Sequence, residues 1–380
     1  MRKQAGTITK HSKLARQIDR KPGDFAIILL VTGLVIFGVV MVFSASYYYS
    51  INDTGSPYGY LKKQGLLALA GFVGMAIMAR IDYHWLRRIS ILVFVISIVL
   101  LGLLFTPLGI EVNGAVRWLD IGVRIMPGEI AKIAAIIFTS AFLAQDPKII
   151  FSFKRGIIPM VLVMGLYGAL IIKEPNLSTA ITVCGIIFGI MFIAGLQWRY
   201  VIAAIVLGGG GILGLIQFGG GYWKQRFTSF TNPFADPLGD GYQVVQSLLA
   251  LGTGGLFGLG LGKSVQKNLY LPEPQNDFIL AIIGEELGFV GIALLFIAYA
   301  VLIWRCIHVC LNAPDRFGML MSGGITIMLG LQVIINVAVV TSSMPPTGIT
   351  LPFVSYGGNA LWLFMGSMGI ILNISKQSER

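Results

Sequence analysis

Four carboxylates occur in the stretch LPEPQNDFILAIIGEELG, residues 271–288, whose other residues are largely apolar. They are Glu273, Asp277, Glu285 and Glu286. If the apolar part is a helix, Glu285 lies about 12 Å beyond Asp277, at 1.5 Å per residue. A carboxylate at that depth in hydrocarbon is costly unless it is protonated, paired or hydrated. We therefore expect Glu285 or Glu286 to face the protein interior or a wet cavity.

Asp277 has two interpretations. Two prolines just before it oppose helix, so Asn276 or Asp277 is a natural N-cap for the apolar helix that follows. The other interpretation is a chemical role at the mouth of that helix. The spacing of Gly284 and Gly288 predicts a face for close packing on the same helix.

Basic groups that could receive a bulky anion come from three other connections. NGAVRWLDIGVRIMPGEIAKI supplies Arg117 and Trp118, followed by Glu129 and Lys132 on one face of a helix that begins near a proline. Purely structural roles also stay open for these residues. Glu129 and Lys132 could form a structural ion pair, and Trp118 could be an interfacial aromatic anchor. The turn KEPNLSTA adds Lys173 and Glu174, and the large loop adds Arg226, Lys263 and Lys267.

Other patterns carry less chemistry. Ser264 to Lys267 reads S-x-x-K, but no K-T-G follows, so we interpret the match to penicillin-binding signatures as chance. The three cysteines lie in or beside apolar segments and predict no disulfide framework. The three histidines are isolated and predict no metal cluster.

The elements that must position these residues are membrane helices. Of 380 residues, 56% are hydrophobic and 12% are charged, and apolar runs repeatedly reach the roughly 18 residues that cross hydrocarbon. The net charge of +11 is scattered over short loops and a tail, which argues against nucleic-acid binding.

Hydropathy predicts ten spans, with centres near Val35, Phe72, Ser97, Ile136, Met164, Phe188, Ile205, Ala293, Ile327 and Met365. An even number places both ends on one side, which then carries 18 of the 28 basic residues. They are Arg2, Lys3, Lys10, Lys13, Arg16, Arg20, Lys21, Arg80, Arg87, Arg88, Lys148, Lys154, Arg155, Arg199, Arg305, Arg316, Lys376 and Arg380. We therefore predict an all-α, polytopic integral membrane protein with both termini cytoplasmic.

This topology divides the chain into a basic tail at residues 1–23, one ten-helix membrane domain at residues 24–376 and a C-terminal tail at residues 377–380. A large extracytoplasmic loop, residues 219–276, connects spans seven and eight. Its mixture of aromatic, apolar and glycine residues predicts short helices against the outer membrane surface. The working face is therefore predicted to be extracytoplasmic.

Several long motifs resemble the shape, elongation, division and sporulation (SEDS) family of peptidoglycan polymerases, which includes RodA, FtsW and SpoVE. They are NPFADPLGDGYQVVQSLLALGTGGLFGLGLGKSVQKNLYLPEPQNDFILAIIGEELG, NVAVVTSSMPPTGITLPFVSYGGNALWLF, MVFSAS, NGAVRW, PGEIAKI and KEPNLSTA. The resemblance extends over nearly all spans, and the second motif is most similar to the division and sporulation branch. Departures from the family pattern occur at Asn176, Ser178, Gln275, Asn276 and Asn359.

The resemblance implies a glycosyltransferase that polymerises lipid II on the outer face of a bacterial cytoplasmic (inner) membrane, during division or sporulation. The 4-hydroxyl of an acceptor N-acetylglucosamine would attack C1 of the donor N-acetylmuramic acid, and undecaprenyl pyrophosphate would leave. Asp277 matches the residue regarded as catalytic in the family, and a sugar hydroxyl needs such a general base.

The leaving pyrophosphate also needs positive charge, from basic side chains or from a divalent cation, Mg²⁺ or Mn²⁺, held near Asp277 and Glu273. The predicted substrate-binding residues are Arg117, Trp118, Glu129, Lys132, Lys263, Lys267, Glu273 and Glu285.

The resemblance implies a class B penicillin-binding protein as partner, which supplies the transpeptidase, together with other divisome or elongasome membrane proteins. Two alternatives remain from other functional classes. A lipid II flippase would use Lys132, Glu129 and Glu285 within the membrane, and a non-catalytic division scaffold would perform no chemistry.

Overall fold

The computed structural model describes residues 23–112, 115–120, 122, 124–218, 230–239 and 241–378. The predicted basic tail before residue 23, loop residues 219–229 and residue 240, and the last two residues lie outside this range. Twelve α-helices are described. They are α1 (Phe25–Thr54), α2 (Gly59–Met78), α3 (His84–Arg88), α4 (Ser90–Leu103), α5 (Pro127–Leu143), α6 (Ile158–Lys173), α7 (Leu177–Ile193), α8 (Trp198–Phe218), α9 (Tyr242–Gly254), α10 (Ile279–Leu311), α11 (Arg316–Val340) and α12 (Gly358–Gln377).

The predicted span centres each fall inside a different helix, because long apolar runs locate membrane helices without tertiary information. Six helical segments are long and apolar enough to cross a membrane: α1, α2, Phe153–Lys173, α10, α11 and α12. The segment Phe153–Lys173 consists of α6 and the π-helical turn before it, and α4 and α7 are shorter apolar helices. A multi-pass membrane protein follows from these lengths.

The described chain enters and leaves the helical bundle at one end, which we call the tail end. The Asp24 backbone N–H donates to Ser375 Oγ at 3.2 Å, and Arg305 Nε donates to Asp24 Oδ2 at 3.0 Å. The starts of α1 and the ends of α10 and α12 therefore meet. The opposite end, which we call the loop end, carries the strands and the starts of α5, α10 and α12.

Helix α2 packs along α12, although the two are nearly 300 residues apart in sequence. Gly71 of α2 contacts the Met365 side chain, and Gly369 of α12 contacts the Met75 backbone. Trp362 Nε1 donates to the Leu67 carbonyl at 2.8 Å. Small residues on both helices therefore allow close approach, as is usual between membrane helices.

A small antiparallel sheet occupies the connection between α4 and α5. Its strands are β1 (Gly109–Val112), β2 (Ala115–Asp120) and β3 (Arg124–Ile125), in the order β1-β2-β3. Trp118 pairs with Ile110, and a register shift follows that pair. The prediction of an all-α chain is therefore wrong for this connection, where alternating residues such as AVRWLD pair with neighbours in the same loop.

Helix α10 is broken at Gly288, whose φ of 67° and ψ of −168° are not helical. At the break, backbone carbonyl groups of α10 accept hydrogen bonds from the segment that follows α9. The Glu285 and Glu286 carbonyls accept from the N–H groups of Leu259 and Gly260, both at 2.9 Å. The predicted close packing is confirmed, because Gly284 contacts α9 and Gly288 contacts this segment. The prediction that both glycines lie on one continuous helix is wrong, because α10 is broken at Gly288.

Candidate functional site

Asp277 lies in a turn at the loop end, two residues before α10 begins at Ile279. The N-cap of α10 is Phe278, and no side chain makes a capping hydrogen bond there. The prediction of Asn276 or Asp277 as the N-cap is therefore wrong. The prolines start a turn that extends one residue further than expected, with the Asn276 N–H donating to the Glu273 carbonyl at 3.1 Å.

The backbone of this turn is held by α11 and by the segment that follows α11. Asn336 Nδ2 donates to the Asp277 carbonyl at 2.9 Å and to the Ile349 carbonyl at 2.8 Å. The Tyr356 N–H donates to the Gln275 carbonyl at 2.9 Å. Sequence analysis missed Asn336, which is fully buried. An amide side chain within an apolar helix indicates that it hydrogen-bonds to another part of the protein.

Arg117 of β2 and the half-buried Asp277 side chain meet across Gly348. A Cβ built on Gly348 would stand 2.9 Å from Asp277 Oδ2 and 3.3 Å from Arg117 Nη1. Arg117 Nη2 donates to the Pro175 carbonyl at 3.0 Å. Its buried Nε has no hydrogen-bond partner in the part of the chain that the structure describes. The structure thus places a cation beside the candidate base and keeps the intervening position free of a side chain.

Glu174 completes this part of the site from the end of α6. It is 2% exposed, and its Oε1 has no hydrogen-bond partner among the described residues. Burial raises the pKa of the Glu174 carboxyl to about 8, although the nearby Arg117 guanidinium acts to lower it. Sequence analysis placed Glu174 with Lys173 at an outer turn but did not include it among the site residues, because only the fold brings it against β2.

Lys132 and Glu129 form a buried ion pair, with Lys132 Nζ at 2.7 Å from Glu129 Oε1. Lys132 is 0% exposed and also donates to Gln332 Oε1 at 2.8 Å. Gln332 Nε2 in turn donates to the Thr350 carbonyl at 3.2 Å. The predicted pair is therefore confirmed, and it ties α5 to α11 and to the segment that contains Gly348.

Glu285 and Glu286 are buried and partnered, as their depth in α10 predicts. The Val265 N–H donates to Glu285 Oε1 at 2.9 Å, and Ser264 Oγ donates to the same carboxylate. Lys267 Nζ stands 2.8 Å from Glu286 Oε1 and 3.0 Å from Ser44 Oγ of α1. We call these side chains the α10 clamp. Ser264 and Lys267 of the S-x-x-K pattern thus anchor a loop.

The other predicted residues lie around this end of the bundle. Trp118 is half-buried on β2, and Lys263 is exposed on the loop that the α10 clamp holds. Glu273 is exposed, and its Oε2 accepts from Asn276 Nδ2 at 2.7 Å. Arg117 and Asp277 are therefore brought together, whereas Lys132 and Lys267 belong to separate buried ion pairs.

The donor set limits the kind of metal site. Within the part of the chain that the structure describes, no three His, Cys, Asp or Glu side chains are grouped to hold a metal ion. Mg²⁺ is often held by one or two carboxylates together with substrate phosphates and water. The half-buried Asp277 carboxylate fits that kind of shared site.

The arrangement is suited to moving a proton next to a developing negative charge. A carboxylate can accept a proton from a hydroxyl, and a guanidinium beside it can bind a phosphate oxygen or hold the carboxylate ionised. Both groups are attached to elements that buried side chains fix, namely the turn tied by Asn336 and strand β2.

Comparison with known proteins gives a consistent result. A family model described as "Cell cycle protein", for FtsW, RodA and SpoVE, matches residues 25–380. Stage V sporulation protein E of Bacillus subtilis is 40% identical over 358 residues, 94% of this chain and 98% of that protein. A probable peptidoglycan glycosyltransferase FtsW of Geobacter sp. (strain M18) is 38% identical over 354 residues, 93% of this chain and 96% of that protein.

Solved structures share the fold. A chain of a peptidoglycan synthase complex that coordinates polymerization and crosslinking aligns with a TM-score of 0.78 and 25% identity, covering 93% of this chain and 98% of that chain. The rod shape determining protein RodA of Thermus thermophilus aligns with a TM-score of 0.69 and 25% identity, covering 94% of this chain and 98% of that chain.

Proposed function

Because the chain belongs to the FtsW, RodA and SpoVE family of cell cycle proteins, we propose that it is a peptidoglycan glycosyltransferase that polymerises lipid II. The observation that carries the residue assignment is the meeting of Asp277 and Arg117 across Gly348. Its relatives suggest work in division or sporulation, and its apolar helices suit the cytoplasmic membrane.

In the proposed reaction, the 4-hydroxyl of the acceptor N-acetylglucosamine attacks C1 of the donor N-acetylmuramic acid. Asp277 takes the hydroxyl proton as the C1–O4 bond forms, and the bond from C1 to the pyrophosphate oxygen breaks. The electron pair of that bond leaves with undecaprenyl pyrophosphate. Arg117 lies next to Asp277 and supplies positive charge toward the pyrophosphate.

A divalent cation, Mg²⁺ or Mn²⁺, would be held by Asp277 with substrate phosphates, and Glu273 is the other candidate ligand. When bound, it would supply further positive charge to the leaving group. Lys263, exposed on the loop, and Trp118, half-buried on β2, remain proposed contacts for the substrate.

We propose ten membrane crossings, with cytoplasmic termini and with residues 219–276 outside. This orientation puts the loop end, and with it Asp277, on the outer face. A class B penicillin-binding protein is the proposed partner, because a related fold occurs in a peptidoglycan synthase complex that also crosslinks. Contacts with other division or elongation membrane proteins are proposed on the family resemblance.

The flippase alternative has less support, because its charged groups are engaged inside the protein. Lys132 is bonded to Glu129 and Gln332, and Glu285 is bonded to the loop backbone. The scaffold alternative leaves the Asp277 and Arg117 arrangement without a role.

The test is glycan-strand synthesis by the purified chain with lipid II as sole substrate, with and without the partner. We expect Asp277→Asn to lower the rate on the order of 10² to 10⁴, because it keeps the size and removes the base. Asp146→Asn, an exposed residue at a tail-end turn, is the matched control. Near-normal strand synthesis by Asp277→Asn, at equal amounts of folded protein, would contradict the assignment of the base.

A further inference from the structure

A cavity lies beside the site, between the end of α4, the sheet and the end of α6. Its volume is about 590 Å³, within the range of small-ligand pockets. Apolar surface comes from Phe105, Val116 and Pro175, and polar groups come from Thr106, Glu111, Lys173 and Glu174. The mechanism above uses none of these polar groups.

Glu174 is the buried polar residue of the cavity lining. Its side chain is almost fully buried, yet Oε1 has no partner among the described groups. A buried polar atom of this kind is costly unless something bonds to it. Lys173 Nζ lies over the Phe105 ring, 4.7 Å from its centroid.

The groups in the cavity select the chemistry of the ligand. The Glu111 carboxylate offsets the Lys173 ammonium, so the charged groups that line the cavity give no net attraction for an anion such as a pyrophosphate. Because burial raises the pKa of Glu174 to about 8, the group is largely a neutral acid at pH 7. A carboxylic acid donates one hydrogen bond and accepts another, which complements the N–H and C=O of an amide.

We propose that this cavity is the subsite for the acceptor sugar and that Glu174 binds the acetamido group of its N-acetylhexosamine. This inference rests on the proposed function and adds a specificity-determining residue to it. Phe105, Val116 and Pro175 offer apolar surface to the sugar C–H groups.

The position of Arg117 relates the cavity to the chemistry. Its Nη2 bonds the carbonyl of Pro175, a cavity residue, while its Nη1 lies on the Asp277 side, across Gly348. The Arg117 guanidinium therefore links the Pro175 edge of the cavity to the Asp277 side of the site. In the proposed arrangement the acetamido group lies in the cavity, the sugar hydroxyl extends toward Asp277, and the donor pyrophosphate stays outside the cavity.

The experiment compares Glu174→Ala and Glu174→Gln with wild type and with Asp146→Asn, in the presence of the partner. Lipid II whose terminal 4-hydroxyl is blocked serves as a donor only, and unblocked lipid II is varied as the acceptor. We expect Glu174→Ala to raise the half-saturating acceptor concentration about 10-fold, the scale of one lost hydrogen bond, with no change for the donor. Glu174→Gln should stay within about 2-fold of wild type, because an amide also donates and accepts.

A pH series separates this role from a purely structural one. The neutral acid predominates below pH 8 and is lost as the pH rises through that value, so wild type should lose acceptor affinity there. The Glu174→Gln side chain does not titrate. The ratio of its acceptor affinity to that of wild type should therefore rise between pH 7 and pH 9. Arg117, Lys173 and Glu111 face the same group and are common to both proteins.

Three results would overturn the subsite: an unchanged acceptor requirement in Glu174→Ala, a shift confined to the donor, or equal impairment of Glu174→Gln and Glu174→Ala. The last would indicate recognition of a cation. If Glu174→Ala does not fold, Thr106→Trp, which fills the cavity from its edge, should raise the same acceptor concentration. If wild type makes no glycan strands, the proposed function fails. The subsite is then tested by equilibrium binding of fluorescent lipid II, which should be weaker for Thr106→Trp than for wild type and Glu174→Gln.

Discussion

At the scale of single residues, the site depends on a position that has no side chain. Gly348 separates Asp277 from Arg117, and both groups end within a few ångströms of where its Cβ would stand. Gly348 is not among the residues with positive φ, so its backbone conformation is open to other residues. The requirement for glycine there is therefore one of space between two functional side chains.

We expect Gly348→Ala to fold and to polymerise poorly. The new methyl group would meet the flexible ends of Asp277 and Arg117, which can move aside at little cost in stability. Their displacement separates base from cation, and we expect a rate loss of roughly 10- to 100-fold, the scale of one charge-assisted hydrogen bond. The measurement is the rate of strand synthesis alongside the thermal unfolding midpoint.

Gly366→Ala is the matched control, since the Cβ of that helical position would meet nothing within 4 Å. It should leave the rate unchanged. An equal loss of rate in both variants, or a wild-type rate in Gly348→Ala, would contradict the role given to this position.

At the scale of elements, the α10 clamp lies directly before the break in α10. Glu286 and Lys267 lie on different elements and are both buried, and Ser44 Oγ of α1 donates to Glu286 at 2.7 Å. Buried pairs of this kind add little net stability, but the loss of one partner leaves an uncompensated charge. Lys267, predicted from sequence to bind substrate, is thus first a counter-ion for α10.

We expect Lys267→Met to lower the free energy of unfolding by about 3–5 kcal/mol, because Glu286 is left charged and buried. The double variant Lys267→Met with Glu286→Gln should recover most of that loss. Lys263→Met changes an exposed lysine of the same loop and should alter stability by less than about 0.5 kcal/mol. Unfolding curves in a fixed detergent supply the measurement, and no recovery in the double variant would contradict the pairing.

The sequence predicted the positions of the helices better than the structure of the connections between them. Helix positions follow from local hydropathy, and Pro127 begins α5 as its type predicts. The break at Gly288 was missed because the loop that fills it lies about 30 residues earlier in the chain. Asp277 was found through the family resemblance, whereas Glu174 was not assigned to the site because its burial depends on packing against the sheet.

At the scale of the whole molecule, the two ends of the bundle have different chemistry. The tail end joins Asp24, Arg305 and Ser375, and the loop end holds Asp277, Arg117 and Glu174. A lipid-linked substrate reaches the site only if the loop end faces the compartment where its sugar is exposed.

The proposed orientation predicts which positions an impermeant thiol reagent labels in intact cells. Leu238→Cys, at an 87% exposed residue of the large loop, should be labelled. Asp146→Cys, exposed at the tail end, should be labelled only after the membrane is permeabilised. The reverse pattern, in a background without reactive native cysteines, would overturn the orientation.

The packing of α2 on α12 also has a consequence in time. Met365 and Trp362, which contact α2, are synthesised almost 300 residues after Gly71 and Leu67. At a synthesis rate of about 5–20 residues per second, α2 waits roughly 15–60 s for its partner. During that interval its small-residue face meets lipid or other helices, so the bundle closes only when the last helix arrives.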